Sequence, residues 1–310
     1  MPSRVRPIAA VVFAAMLFGT AGTAQELGPD TTTPLGVGAV RITLGTAVLW
    51  IVILWGTDRV DRRRIAASVR SQGRLVALGG VGVAVYTPMF LIAVDRTGVA
   101  VGTVVAIGSG PFFAGAFEWA ARGVRPGLGW LVGTVIVVSG GALLVASAQS
   151  GVDEVDALGI GCALLSGSGY ALYSVTAKTT MGRGVEATLA MAAPFTVGAI
   201  AVAAMAVGQP FGWLREPGGV AMALELGVLA TGVAYVLFGY GLHRLSSATT
   251  VTLVLAEPLT AALLATIVLD ESIGALGWVG VAILLSGLVI VGRTAEVSIE
   301  PVEPHPTPVG

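Results

Sequence analysis

The chain has 310 residues, 55% of them hydrophobic and only 11% charged, where a soluble domain carries about 25% charged residues. Lipid is therefore its main solvent. At about 20 apolar residues per crossing, the length admits roughly ten helices and leaves no room for a separate catalytic domain. A formal net charge of −1 argues against a nucleic-acid partner, which would show as a basic patch.

Few residues are equipped for cofactor chemistry. Cys162 is the single cysteine, has no partner for an internal disulfide, and reads as a small buried residue in an apolar run. His243 and His305 lie far apart without companion ligands, so neither a zinc site nor any other metal site is expected. Lys178, the only lysine, lacks the preceding Gly-rich spacing of a phosphate-binding loop. No cofactor is expected, and any work done must draw on a gradient or on a partner.

Apolar runs between Gly, Pro and charge punctuation predict spans over residues 7–24, 35–56, 75–94, 98–119, 128–147, 157–177, 187–208, 219–242, 247–268 and 275–292. The runs are continuous where barrel strands alternate, so the fold class is all-α, a polytopic membrane protein. The first run also has features of a cleavable signal peptide: Arg4 and Arg6, an apolar middle, and small residues before Gln25. With the amino terminus inside, alternate loops carry Arg4 and Arg6; Arg59, Arg62, Arg63, Arg64, Arg70 and Arg74; Arg122 and Arg125; Lys178 and Arg183; Arg244; and Arg293. That is 14 of the 17 basic residues, against Arg96, Arg215 and acids such as Asp153, Glu154 and Asp156 on the other side. The positive-inside rule then places both termini in the cytoplasm. Tryptophans 50, 55, 119, 130 and 278 fall near predicted helix ends and read as headgroup anchors. Residues 293–310 form a cytoplasmic tail, which from Glu296 onward mixes Glu, Val and Pro without helical periodicity and is expected to be disordered.

The two halves resemble each other. Thr103 and Thr250, Pro111 and Pro258, Ala114 and Ala261, Gly133 and Gly280, Ser139 and Ser286, and Gly140 and Gly287 all stand 147 residues apart. At 148, Ala15, Leu17 and Gly19 meet Ala163, Leu165 and Gly167, while Phe90 and Arg96 meet Phe238 and Arg244. This makes the first run the counterpart of a later span. A five-helix unit is odd-numbered, so its second copy enters the membrane in the opposite sense, giving two inverted repeats over residues 7–147 and 157–292. Oppositely oriented halves can exchange conformations, and alternating access is the natural output.

The segment Leu17-Phe18-Gly19-Thr20, the segment around Arg41, Glu257-Pro258 followed by Asp270-Glu271, and the Gly-rich helices from Gly133 to Gly140 and from Gly280 to Gly287 go together. On these the sequence resembles the drug/metabolite transporter superfamily, specifically its EamA-type exporters, over residues 7–292. The resemblance implies ten helices, two EamA repeats, residence in a prokaryotic-type plasma (inner) membrane, and movement of small metabolites, amino acids or drugs, usually outward. The first repeat departs from the pattern with Arg122-Gly123 where the acidic end of the ninth helix has carboxylates, so no role carries over to that place.

Glu257 is the sharpest site candidate. Ten residues into the ninth span, at about 1.5 Å each, put its carboxylate roughly 15 Å deep, near the middle of a 30 Å core. An ionised group there costs at least a few kcal/mol unless it faces water or a partner. Pro258 frees the carbonyl of Val254, which is then available to face a cavity. Together they suit a proton or sodium site, or recognition of a substrate amine. The structural alternative is a neutral Glu257 hydrogen-bonded to another helix. Pro111, after Gly108, Ser109 and Gly110, is a hinge lining the cavity or a close-packing site. Tyr86, Tyr170 and Tyr235, with Tyr173 and Tyr240, lie inside spans, where each hydroxyl needs a partner or a cavity. Thr20 is polar in the first span and can bond a carbonyl one turn back.

Other polar residues read as structural. Arg41 snorkels towards the membrane surface, Glu225 is similarly shallow, and Glu118 pairs with Arg122 at an interface. Gly129 and Gly133 suit close helix contact, within the chain or across a homodimer. The function expected is secondary-active export of a small-molecule solute across the lipid bilayer, without enzymatic activity. The alternatives are a membrane sensor or structural protein without flux, and an intramembrane enzyme on lipid-linked substrates.

Overall fold

The computed structural model describes residues 2–56, 67–147, 156–269 and 273–295. The loop residues Arg59, Arg62, Arg63 and Arg64, the acids Asp153, Glu154, Asp270 and Glu271, and the tail from residue 296 lie outside the described residues. Among the described residues, ten helices are long and apolar enough to span a bilayer: α1 (Pro2–Glu26), α2 (Pro34–Trp55), α3 (Gly73–Val94), α4 (Val101–Arg122), α5 (Leu128–Ser147), α6 (Ala157–Met181), α7 (Ala187–Met205), α8 (Pro217–Arg244), α9 (Ser247–Val268) and α10 (Ala275–Thr294). The fold is all-helical. Helix α10 runs two residues into the segment expected as tail.

Local chemistry sets several boundaries. Thr33 caps α2 by accepting Gly36 N–H, and Pro34 at the first position gives up an N–H that would be unpaired anyway. Asp156 caps α6 through Leu158 N–H and pairs with Arg96 at 2.9 Å. That guanidinium, followed by the cap itself, holds the Asp156 carboxyl below its usual range. Helix α4 ends where Gly123 turns left-handed at φ 72°, a conformation glycine adopts without side-chain strain. Between α3 and α4 the helical backbone is continuous, yet the chain doubles back. A Cβ built on Gly102 would stand 3.0 Å from Val94 Cα, whereas eight residues of straight helix span about 12 Å.

In lipid, helices gain little by hiding apolar surface from one another, so close packing and internal hydrogen bonds must hold them together. Small residues supply the closeness. A Cβ on Gly82 would sit 2.6 Å from the carbonyl of Gly169, joining α3 to α6, and one on Gly280 would sit 2.9 Å from that of Gly140, joining α10 to α5. Gly129 and Gly133 belong to this last contact: added Cβ atoms would stand 2.6 Å from Thr294 Cγ2 and 2.7 Å from Val291 Cγ2. That face is therefore filled inside one chain, and a homodimer would need another surface.

Two helices are irregular. Helix α8 widens to π geometry from Glu225 to Val233, where the Thr231 hydroxyl donates to the Leu226 carbonyl five residues back. Helix α9 tightens into a 3-10 turn at Val254–Ala256. The tryptophans divide. Trp55, Trp119 and Trp278 are exposed at helix ends, as expected of anchors. Trp130 is instead buried, its indole N–H donating to Thr252 Oγ1 at 3.1 Å, and Trp50 donates to Thr196 Oγ1 at 2.8 Å. These two indoles find their partners inside the bundle, so reading them as headgroup anchors is corrected.

Candidate functional site

Helix α9 changes character at Glu257. Every residue from Ser247 to Ala256 is buried, and none from Glu257 to Val268 is. Pro258 has no N–H to offer Val254, and the chain adapts locally: the Val254 carbonyl accepts Glu257 N–H in the 3-10 turn. The carbonyl that Pro258 leaves available is thus taken by the backbone itself.

Past that turn α9 forms one wall of a cavity of about 550 Å³. Glu257 and Pro258 lie at its foot, eleven and twelve residues into a 22-residue span. Gly22, Thr23 and Glu26 of α1, Thr103 and Ile107 of α4, and Leu144, Val145 and Ser147 of α5 form the other walls, with Ile273 and Gly274 before α10. The C-terminal ends of α1, α5 and α9 and the N-terminal ends of α4 and α10 thus meet at one end of the bundle, as alternating crossings require. The walls are mostly apolar. Two carboxylates, Glu257 and Glu26, and the hydroxyls of Thr23, Thr103, Ser147 and Thr266 are the polar side chains, and no basic side chain lines the cavity among the described residues. Such a chamber suits the apolar body of a small solute with a donor or positive charge directed at Glu257.

Helix α1 fixes that foot in place. A Cβ on Gly19 would sit 2.7 Å from the Glu257 carbonyl, so the two backbones touch where α9 turns. Val11, Ala14 and Phe18 of the same helix are part of the core. Removing α1, as signal cleavage would, strips a wall from the cavity.

Of Glu257, Pro258, Pro111, Tyr86, Tyr170, Tyr235 and Thr20, the first two line the cavity and the other five do not. Pro111 is buried in α4, next to Gly110, which faces Tyr170 and Val251. Tyr235 is buried and shares a 2.9 Å hydrogen bond with Tyr173, and Phe18 stacks on it at 5.1 Å. Tyr86 lies 6.0 Å and Tyr170 5.2 Å from the Tyr173 ring, measured between centroids. With Phe195 and Phe238 these rings form a packed aromatic cluster contributed by α1, α3, α6, α7 and α8. The Tyr170 hydroxyl is buried without a hydrogen-bond partner among the described residues, within electrostatic reach of Glu257.

Thr20 makes the expected contact one turn back, donating to the Leu17 carbonyl at 2.6 Å, and it also hydrogen-bonds Glu225 Oε1. Glu225 was expected near a membrane surface. It is instead turned inward onto α1, and its second oxygen is buried without a partner among the described residues.

Arg41 is corrected likewise. Rather than snorkelling outward, its guanidinium donates to Thr231 Oγ1 at 3.0 Å and the Ala230 carbonyl at 3.5 Å, both in the π segment of α8, and lies within electrostatic reach of Glu257. Distance from a helix end, the only depth measure a sequence offers, does not reveal that α1, α2 and α8 pack side by side there. Glu118 does pair with Arg122, at 3.1 Å, but is buried rather than interfacial. Among the described residues, no three His, Cys, Asp or Glu side chains gather as a metal site would require.

The profile of the EamA-like transporter family matches residues 5–146 and again 157–293. An uncharacterized transporter of Bacillus subtilis (strain 168), YwfM, is 35% identical over 293 residues, which cover 92% of this chain and 95% of that protein. A crystal structure described only as that of a protein is similar in fold, with a TM-score of 0.75 at 18% identity, covering 92% of this chain and 95% of its own.

Proposed function

The chain belongs to the EamA-like transporter family, hence to the drug/metabolite transporter superfamily, and from that premise we propose that it is a secondary-active exporter of a small metabolite, amino acid or drug. It is an integral membrane protein of a family that acts on small-molecule solutes. In the proposed mechanism the halves 7–147 and 157–292 are inverted repeats that rock against each other in a plasma membrane, with both termini cytoplasmic. The cavity is then the outward-facing half of an alternating pathway. Glu257 at its foot takes the positive end of the solute and, in the returning state, a proton or sodium ion.

One observation carries the reading: an apolar chamber of about 550 Å³ descends to a carboxylate halfway along a broken helix. That volume lies within the range of about 300–1,000 Å³ typical of small-molecule sites. An acid at that depth is expensive to maintain in hydrocarbon, which favours a role in binding. A sensor or structural protein, or an intramembrane enzyme, would have no need of solute flux. Reconstitution into proteoliposomes with a metabolite mixture, with and without an imposed pH gradient, tests the proposal. Solute should move faster than in empty vesicles and respond to the gradient. No movement under either condition favours the readings without flux.

A further inference from the structure

At the end of the bundle opposite the cavity mouth, α4 finishes beside the start of α9. There Glu118 is 1% exposed, which for a carboxylate requires several compensating partners. It has them. Oε1 accepts Ser247 N–H at 3.1 Å and lies 3.3 Å from the Ser247 hydroxyl, Oε2 accepts Ala248 N–H at 3.1 Å, and Arg122 completes the set at 3.1 Å. A side chain of the first half thus holds the first turn of the helix that carries Glu257 in the second. Below that grip, the stretch of α9 from Ser247 to Ala256 is wholly buried, so this end of the pathway is shut.

We propose that Glu118 is a positioning residue that latches α9 and keeps the pathway closed at this end, and that it lets go when the pathway opens here. The inference rests on the alternating-access reading and adds the element that biases its two states. The arrangement suits a reversible latch. Arg122 lies one turn from Glu118 on the same helix, so the carboxylate keeps a countercharge when the halves part. Helix α9 keeps a cap of its own, the Ser246 hydroxyl accepting Thr249 N–H at 3.1 Å. Release frees the N–H groups of Ser247 and Ala248 and the Ser247 hydroxyl, which water can satisfy on entering.

Site-directed labelling tests this. With Cys162, the single cysteine, replaced by serine and Thr250→Cys as reporter in the buried stretch of α9, a charged thiol reagent is applied from either side of sealed vesicles. Glu118→Gln should raise labelling from the latch end about tenfold, as a shift between two states requires, while labelling from the cavity end, from which residue 250 is shielded, stays low. Arg122→Gln, which leaves the two backbone bonds in place, should raise it about twofold to threefold. A purely structural role would lower the melting temperature without changing the ratio of labelling from the two sides. An unchanged ratio in folded Glu118→Gln overturns the proposal. Should that variant not reach the membrane, Glu118→Asp and Arg122→Gln decide, and no rise in either overturns it. Parent protein labelled at equal, negligible rates from both sides, with or without solute, instead counts against alternating access itself.

Discussion

The two halves of α9 have similar composition and different surroundings. From Ser247 to Ala256 the helix is capped by Ser246, gripped by Glu118 and enclosed, with Thr252 at 0% exposure contacting Trp130 and Thr134 of α5. From Glu257 to Val268 it stands against an open chamber. Threonines and alanines occur in both, so composition does not separate wall from core; the Pro258 turn and the neighbouring helices do. A break in a transmembrane helix can thus mark where packing gives way to a pathway.

Placing a charge on each side of the break should give the largest contrast. Thr252→Glu buries an unpartnered carboxylate at a cost of several kcal/mol and should abolish folded protein, whereas Thr266→Glu, on the cavity wall, should purify with near-normal melting behaviour. Equal tolerance of both, judged by size-exclusion chromatography and thermal melting, would erase the distinction. Gly19→Leu drives a side chain into the Glu257 carbonyl and Thr260. It should destabilise by about 1–3 kcal/mol and depress flux, because α1 must move off the foot of the cavity. Pro258→Ala restores the missing N–H and invites a regular helix through the turn, so flux should fall severalfold with stability kept or slightly raised. The smallest effect on flux belongs to Thr252→Val, which takes the Oγ1 partner from the Trp130 indole N–H and the Thr134 hydroxyl; a loss of about 1–3 kcal/mol in stability with flux retained is expected.

The sequence makes the spans legible because twenty apolar residues between charged loops have few other uses. It makes Glu257 legible because an acid at mid-span is costly wherever it points. Partners across helices are another matter. Glu118 and Ala248 are separated by 130 residues, Arg41 and Thr231 by 190, and Thr20 and Glu225 by 205, and only packing brings each pair together. A single sequence records depth along a helix but not the direction a residue faces. That is why Arg41 and Glu225 read as surface residues and five candidate residues are not in the cavity lining. The response to Pro258 was equally hidden, since the freed carbonyl of Val254 can turn either to a cavity or to Glu257 N–H.

The most direct test of the Glu257 site is solute flux in proteoliposomes for the parent protein and Glu257→Gln, read beside thiol labelling of a cysteine placed at Thr266. Flux in the variant should fall at least tenfold and lose its response to the pH gradient, while labelling stays unchanged because the chamber remains open. A folded variant that carries solute at the parent rate, with the same response to the gradient, would contradict the assignment of Glu257 to the transport path.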